Sequence, residues 1–280
     1  MKLSLKEFKS LESKAITLLG MSGVGKTRLA NKLPSSQWFN YSGDYRIGTK
    51  YLAEPILDNI KVQAMKVDFL RELLRSDSIY IASNITVNNL NPVATFLGKI
   101  GDPNKGGVSL EEFRKRQALH RAAEIGAMHD VVEFKRKARD IYGYPHFIND
   151  AGGSLCELND QATYELISQH TIIVYIKADE GIKKEVVKRA QLHPKPMYYA
   201  PDFLEQSLND YMNINEIKKV DEVDPNDFSR WIFPRLIDHR DPKYQAIADQ
   251  FGYTLNAKDV EQVDNEDDFI ALLEEAIGGS

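Results

Sequence analysis

The chain has 280 residues, of which 42% are apolar and 28% are charged, and its formal net charge at pH 7 is −5. This length suits one large α/β domain or a core with one sizeable insertion. The acidic balance argues against a protein that coats nucleic acid nonspecifically. Cys156 is the single cysteine, so no internal disulfide forms, and we expect a packed thiol in a reducing compartment. Residues 1–6 do not resemble a signal peptide, and the apolar run at 172–176 is too short to span a membrane, so we expect a cytoplasmic protein.

A glycine-rich segment follows the first apolar run of the chain. The sequence predicts a buried strand at 14–19 and a helix over 27–33, with the loop between them. Strand, glycine loop and helix in this order are the setting of a phosphate-binding P-loop. Its amides would hold the phosphates of ATP, Lys26 would reach the β- and γ-phosphates, and the Thr27 hydroxyl would bind Mg²⁺. The predicted nucleotide-binding residues here are Gly20, Ser22, Gly23, Val24, Gly25, Lys26, Thr27 and Arg28.

The rest of the chain alternates between predicted strands and helices. Residues 78–82 suit either a strand or the end of a helix, and 88–104 suit a loop with one short helix. Alternation of this kind predicts a parallel sheet covered by helices on both faces, an α/β fold in three layers of the P-loop NTPase kinase type. Further strands are predicted at 37–41, 146–149, 171–176 and 253–255, and helices over 50–75, 110–141 (with Gly126 as a candidate break), 181–189, 244–250 and 267–276.

This pattern predicts a division of the chain into two parts. Residues 1–49 and 143–277 would form the P-loop kinase core. Residues 50–142 would be a helical insertion between the second and third core strands, and we expect it to bind substrate.

Two aspartates follow predicted strands, at the edge of the sheet where ligands of α/β proteins bind. Asp44 comes after a strand and a glycine, where it would accept a proton from a substrate hydroxyl or hold Mg²⁺ through water. Asp150 ends an apolar strand, as a Mg²⁺-associated acid would. The alternative for each residue is a structural aspartate that caps a turn or a helix.

Several segments resemble shikimate kinase and its relatives. The segment 111–117, which contains Phe113-Arg114, resembles that family's Phe-Arg-x-x-Glu, and Asp150-Ala151-Gly152-Gly153-Ser154 resembles its Gly-Gly-Gly loop. Residues 188–197 resemble its lid, and 240–249 resemble its Arg-x-Pro-x-Tyr-x-x-x-Ala-Asp stretch. Ser42-Gly43-Asp44-Tyr45-Arg46 is similar to the Asp-Gly-Asp-x-x-Arg of adenylylsulfate kinase as well.

The resemblance implies an ATP-dependent kinase and assigns roles to residues outside the P-loop. Arg189 and Lys195 would belong to a lid that closes over the nucleotide. The alternative for the arginines is a solvated surface charge. The implied catalytic residues are Lys26, Asp44 and Arg189; the implied substrate-binding residues are Asp44, Arg46, Arg114, Gly152, Gly153 and Arg240; the implied metal-binding residues are Thr27 and Asp150.

The sequence favours transfer of the γ-phosphoryl group of ATP to a hydroxyl of a small, anionic acceptor. No guanine-reading Asn/Thr-Lys-x-Asp segment occurs in a suitable place, which argues against a GTPase. The alternative is a P-loop ATPase that acts as a switch or binding module for a protein or nucleic acid. Residues 114–139 carry eight basic against three acidic side chains, a local charge of +5 that fits an anionic partner or simply a solvated helix face. The sequence does not name the acceptor or the oligomeric state.

Overall fold

Five parallel strands form one sheet in the order β2-β3-β1-β4-β5, in a computed structural model that describes residues 2–279. The central strand β1 is buried along its whole length, as its unbroken apolar run requires. Leu18 of β1 lies opposite Asp150 on one side and Val174 on the other, so the carboxyl ends of the strands meet at one edge. The strands are β1 (Ala15–Leu19), β2 (Trp38–Ser42), β3 (His146–Asp150), β4 (Ile172–Lys177) and β5 (Gly252–Asn256).

Helices connect the strands and cover the sheet on both faces. Over residues 2–279, no helix combines the length and the apolarity needed to cross a bilayer. The α-helices are α1 (Leu5–Ser10), α2 (Lys26–Lys32), α3 (Gly43–Arg46), α4 (Ala53–Ala64), α5 (Asp68–Arg75), α6 (Asn91–Leu97), α7 (Leu110–Asp140), α8 (Gln161–His170), α9 (Glu180–Leu192), α10 (Pro201–Ile214), α11 (Pro225–Phe251), α12 (Ala257–Gln262) and α13 (Glu266–Gly278). Short π- and 3₁₀-turns occur at Ile47–Tyr51, Pro103–Lys105, Leu155–Glu157 and Val220–Glu222.

The predicted strands are confirmed, each to within one residue at either end, and so is the parallel α/β fold. Residues 50–75 are mostly helical, as predicted, but they do not form one continuous helix. The chain forms a π-turn at Ile47–Tyr51 and then two helices, which are separated where Val67 adopts an extended conformation. Residues 78–82 form neither strand nor helix, and Tyr80 is 89% exposed. An apolar stripe therefore revealed the helical content but not its interruptions.

The helix predicted at 244–250 is only the last part of α11, which has 27 residues and contains Pro234 and Pro242. Prolines normally end helices because they lack an amide donor. Here Phe228, Ile232 and Leu236 recur at helical spacing and are buried, so the packing of one face keeps the helix continuous. Helices α8 and α10 were not predicted.

Two buried hydrophobic clusters meet on α7. Ala127, Met128 and Val131 pack with the sheet in the larger cluster. Phe113, near the start of the same helix, packs with the α10–α11 region, including Phe228, in a second cluster. The second half of α7 thus belongs to the core around the sheet. The proposed division into a core and an insertion at 50–142 stays a prediction.

Gly126 does not break α7, which is continuous from Leu110 to Asp140. Gly126 instead allows the ring of Tyr51 to pack closely against α7, since a Cβ placed on it would lie 2.5 Å from that ring. That ring is fixed because the Tyr51 hydroxyl donates a hydrogen bond to Asp130 Oδ2 at 2.9 Å. The break predicted at Gly126 is therefore wrong, and the residue is the point at which α7 packs against the π-turn.

We predict that Gly126→Ala destabilises the protein by about 1–3 kcal/mol, because the added methyl overlaps the Tyr51 ring. In a Tyr51→Ala background the same change should stabilise by up to about 1 kcal/mol, since alanine favours a helix over glycine. Urea denaturation of the four proteins in this double-mutant cycle measures both effects. A stabilising Gly126→Ala in the wild-type background would contradict the packing role.

Candidate active site

The loop between β1 and α2 has a backbone that requires glycine. Gly20, Gly23 and Gly25 all have positive φ, at 143°, 93° and 102°. A Cβ on Gly20 would also lie 2.8 Å from the carbonyl oxygen of Ile176, so a side chain is excluded twice over at this position. The loop is therefore held in one shape by the neighbouring strand β4.

Lys26 is folded back across this loop. Its Nζ donates to the carbonyl oxygens of Gly20 at 2.7 Å and Met21 at 3.2 Å, and the side chain is 7% exposed. Burial lowers the pKa of Lys26, while the charges of Asp150 and Asp44 oppose that shift. An ammonium group held by two carbonyls exchanges them readily for phosphate oxygens, so the arrangement suits a nucleotide-free P-loop.

A cleft of about 510 Å³ runs along the loop. Its lining includes Arg28 and Glu261, and Arg28 Nη2 donates to the Glu261 carbonyl oxygen at 3.1 Å. Asp44, Asp150 and Gly153 line it as well. The loop residues Ser22 to Thr27 face the same space, so the predicted phosphate-binding loop and both aspartates share one cleft.

Thr27 and Asp150 provide the oxygen ligands that Mg²⁺ prefers. The Thr27 hydroxyl donates a hydrogen bond to Asp150 Oδ2 across the floor of the cleft. Among residues 2–279, no three His, Cys, Asp or Glu side chains cluster closely enough for an all-protein metal site. The residues present fit a cation whose other ligands are phosphate oxygens and water, which is how Mg²⁺ is usually bound.

Two carboxylates converge on Gly152, beside the cleft. A Cβ on this glycine would lie 2.6 Å from Glu124 Oε1 and 3.0 Å from Asp44 Oδ1, so only glycine fits between them. Burial, reinforced by the charge of Asp150, raises the pKa of Asp44 to about 6. Burial raises the pKa of Glu124 to about 7, against the opposing hydrogen bond from Ser154. Both groups titrate near neutral pH, as general acid–base catalysis requires.

Glu124 is fully buried and only partly satisfied. Its Oε2 accepts from the Ser154 hydroxyl at 2.5 Å, while Oε1 has no hydrogen-bond partner. His120 Nδ1 lies 3.8 Å from Glu124 Oε2 and also lacks a hydrogen-bond partner. Burial lowers the pKa of His120 to about 4, so this histidine is neutral at pH 7. Unsatisfied polar atoms in such a place favour a site that is completed by a ligand.

No sequence motif marked Glu124 or His120 as site residues. One signal was available, because both fall on the buried helical stripe that continues through Ala127 and Met128. A carboxylate at a core-facing position needs a partner or a function. What the sequence could not show is that α7 passes behind Gly152.

Arg240 supports the Gly152–Gly153 turn. Its Nη1 donates to the Gly153 carbonyl oxygen at 2.6 Å and its Nη2 to the Tyr198 carbonyl oxygen at 2.8 Å. The Tyr244 hydroxyl donates to the same Gly153 oxygen at 2.6 Å. Both terminal nitrogens of the predicted substrate-binding arginine are thus occupied by backbone, which makes Arg240 a positioning residue. Gly153 lies against the amide of Ser22, next to the P-loop.

The two predicted lid residues lie on the side of α9. Arg189, in the last turn of α9, lines the cleft, with its Nη2 3.5 Å from the Gly23 carbonyl oxygen. Lys195 lies in the loop after α9 and borders a neighbouring chamber with Ser22 and Gly23. Both side chains are exposed.

Two residues predicted to bind the acceptor make contacts outside the cleft. Arg46 Nε donates to Asp130 Oδ2 at 2.7 Å and its guanidinium lies 4.8 Å from the centre of the Phe134 ring, so it joins α3 to α7. Arg114 is half exposed and pairs with Glu205 at 2.6 Å. It lies ten residues before Glu124 on one continuous helix, which is about 15 Å along the axis. The acceptor role predicted for Arg46 and Arg114 is not supported, because neither lines the cleft.

No protein-family model matches the chain, and no curated protein is similar to it in sequence. Among solved structures, the chain is similar to shikimate kinase from Acinetobacter baumannii in complex with shikimate. That similarity has a TM-score of 0.33 and 14% sequence identity, and it covers 84% of this chain and 98% of that chain. A similarity of this size transfers neither a substrate nor a residue role. The strand order and the glycine loop between β1 and α2 define a P-loop NTPase fold of the kinase type, in three layers.

We predict that Glu124 makes the stability of the nucleotide-free protein fall as the pH rises from about 5 to 8. The folded carboxyl keeps its proton to about pH 7, whereas an exposed glutamate loses it near pH 4.5. The folded state therefore binds more protons in this interval, and deprotonation favours unfolding. Glu124→Gln removes this pH-dependent contribution to the free energy of unfolding. Between pH 5 and 8 the stability of the variant relative to wild type should therefore improve by on the order of 2–3 kcal/mol.

Urea denaturation at several pH values measures this effect. Glu111→Gln, an exposed change in the first turn of the same helix, serves as the control and should follow the wild-type curve. If Glu124→Gln and wild type show parallel pH dependence, Glu124 is not the group that titrates.

Proposed function

We propose that this protein is an ATP-dependent phosphotransferase that moves the γ-phosphoryl group to a hydroxyl of a small acceptor. The observation that carries the proposal is the convergence of the P-loop with two raised-pKa carboxylates, Asp44 and Glu124, around the Gly152 turn. A nucleotide-binding site alone needs no such pair. A phosphotransferase does, because the acceptor hydroxyl must be oriented and must lose its proton.

The mechanism follows from the positions of the side chains. The loop amides and Lys26 hold the phosphates and stabilise charge on the transferred group. The acceptor oxygen attacks the γ-phosphorus in line, the bond to the β,γ-bridging oxygen breaks, and ADP is released. Asp44 lines the cleft and receives the hydroxyl proton. Glu124 is buried behind Gly152 and does not line the cleft, so it would act indirectly, by holding the turn through its hydrogen bond from Ser154.

Thr27 and Asp150 would hold Mg²⁺, which supplies positive charge to the phosphate oxygens. Arg189 would close over the phosphates from the lid and exclude water, which protects ATP from hydrolysis. Lys195 follows on the same side and would add a second positive charge when the lid closes.

ATP consumption measured alone and with a metabolite pool tests the proposal. A phosphotransferase releases ADP mainly when one acceptor is present, and mass spectrometry then detects that acceptor with one added phosphoryl group. ADP release that ignores small molecules and responds only to a protein or nucleic acid would favour a switch ATPase instead.

Lys26→Ala should lower turnover by on the order of 10³-fold and weaken ATP binding, because the main cation on the transferred phosphoryl group is lost. Steady-state kinetics and calorimetric ATP binding measure the two effects. Lys32→Ala, on the same helix but at the outer end of the cleft, is the matched control and should keep turnover within about tenfold of wild type. Wild-type-like turnover in Lys26→Ala would refute the assignment of the P-loop.

Asp44→Asn should keep the affinity for ATP within about tenfold but slow phosphoryl transfer by about 10²–10⁴-fold, because a base acts on the acceptor and not on ATP. Single-turnover kinetics separate transfer from binding. Loss of Mg²⁺-dependent ATP binding in this variant would show instead that Asp44 serves the metal, and Asp150 would then be the better candidate for the base.

A further inference from the structure

A chamber of about 300 Å³ adjoins the nucleotide cleft on the side of the lid. Its walls come from the P-loop, from α9 and the loop after it, and from α11. The apolar lining side chains are Val186, Ala190, Met197 and Phe233. Phe233 and Met197 are only partly buried, so apolar surface that the core does not cover faces this space. An apolar engineered cavity of roughly 150 Å³ already holds benzene, so the chamber has room for a ring with substituents.

All the ionisable side chains that line this chamber are basic. They are Arg189, His193 and Lys195, and all three are exposed at its rim. The nucleotide cleft differs, because acidic Asp44, Asp150, Glu185 and Glu261 line it as well. A rim of one sign attracts a group of the opposite sign. The chamber therefore pairs an apolar floor with a rim that suits an anion.

The chamber is continuous with the site of phosphoryl transfer. Ser22, Gly23 and Arg189 line both spaces. Gly153, which lines the cleft together with Asp44, lies 3.2 Å (measured from an added Cβ) from the amide of Ser22. A molecule seated in the chamber can thus extend past Ser22 toward Asp44. Arg28 and Glu261 line the cleft but not the chamber, so the cleft keeps further space for a nucleotide.

We propose that the chamber binds the body of the acceptor, and that the acceptor joins an apolar, ring-sized or branched group to a carboxylate or phosphate as well as to the hydroxyl that is phosphorylated. The apolar group packs on Phe233 and Met197, and the anionic group faces Lys195 and His193. This inference rests on the proposed phosphotransfer, and it replaces the anion-binding role that the sequence assigned to Arg114. A sugar or another wholly polar compound does not fit, because it would leave the apolar floor uncovered and lose its own hydration.

Two probes that differ only in a phenyl group test the apolar part. We use 3-phenyllactate and lactate, each titrated calorimetrically into the protein with Mg²⁺ and a non-hydrolysable ATP analogue. We expect 3-phenyllactate to bind at least about tenfold more tightly than lactate, because its ring removes apolar surface from water in the chamber. Equal affinities, or no detectable binding of 3-phenyllactate, would overturn the proposal.

Two variants locate the binding. Phe233→Ala should reduce the preference for 3-phenyllactate to within about threefold, because the ring loses its packing surface. Val187→Ala is the matched control: it removes side-chain volume between α9 and α11 in the neighbouring groove with Pro234 and should keep the preference. Lys195→Met should weaken both probes by about fivefold or more, since both carry the carboxylate. A preference that survives Phe233→Ala would place the ring elsewhere and overturn the proposal.

The acceptor identified by a metabolite screen provides an independent test of the chamber. Its KM should rise at least about fivefold in Phe233→Ala while the KM for ATP stays within twofold. A wholly polar acceptor with an unchanged KM would contradict acceptor binding in the chamber and would still support the phosphotransferase activity. Tight, Phe233-dependent binding of 3-phenyllactate in a protein that phosphorylates no acceptor would support the chamber and refute the phosphotransferase.

Discussion

The hydrogen bonds that Arg240 donates to the carbonyl oxygens of Gly153 and Tyr198 hold the acceptor side of this protein together. Arg240 is 2% exposed and its Nε has no hydrogen-bond partner, so its buried charge depends on the two bonds from the terminal nitrogens. Through these two bonds α11 fixes both the glycine turn after β3 and the segment that follows the lid. Gln117 of α7 acts on the same segment: its Nε2 donates to the Met197 carbonyl oxygen, and its Oε1 accepts from the Tyr199 amide. The segment 197–199, which follows the predicted lid residues, is thus held to both α7 and α11.

Opposing electrostatic effects act on the pKa of the carboxylates beside the Gly152–Gly153 turn. Asp44 and Glu124 both lie against Gly152, and burial raises the pKa of each; the charge of Asp150 adds to the shift at Asp44, and the charge of Asp44 adds to the shift at Glu124. Lys26 opposes this shift from the other side of the cleft. A bound nucleotide would draw the Lys26 charge toward the phosphates. The pKa of Asp44 would then rise, which would make its ionised form a stronger acceptor for the hydroxyl proton. This balance explains why the proposed base lies beside a partly unsatisfied polar network and not in open solvent.

The second hydrophobic cluster gives the lid side its own support. It joins the start of α7 to α10 and the first half of α11, away from the sheet. Gln191 and Arg230 add a reciprocal pair of side-chain to carbonyl bonds between the end of α9 and α11. The chamber next to Phe233 lies where these elements meet the P-loop. Phe233 packs against the cluster around the sheet and Met197 against the second cluster, so the apolar floor of the chamber draws on both.

The sheet and the glycine loop could be predicted from the sequence, because short apolar runs and a glycine pattern with fixed spacing are local signals. The same reasoning pointed to Asp44, Asp150 and the Gly152–Gly153 turn, which all follow strands whose carboxyl ends must share one edge. Which distant side chains approach this edge depends on the packing of the whole chain. Arg114 fits a family-like segment yet lies about 15 Å along α7 from Glu124, whereas Glu124 has no motif but faces Gly152. The reason is that the rotation and length of a long helix depend on packing along its whole course, here on Gly126 against Tyr51, and no short window of sequence contains that information.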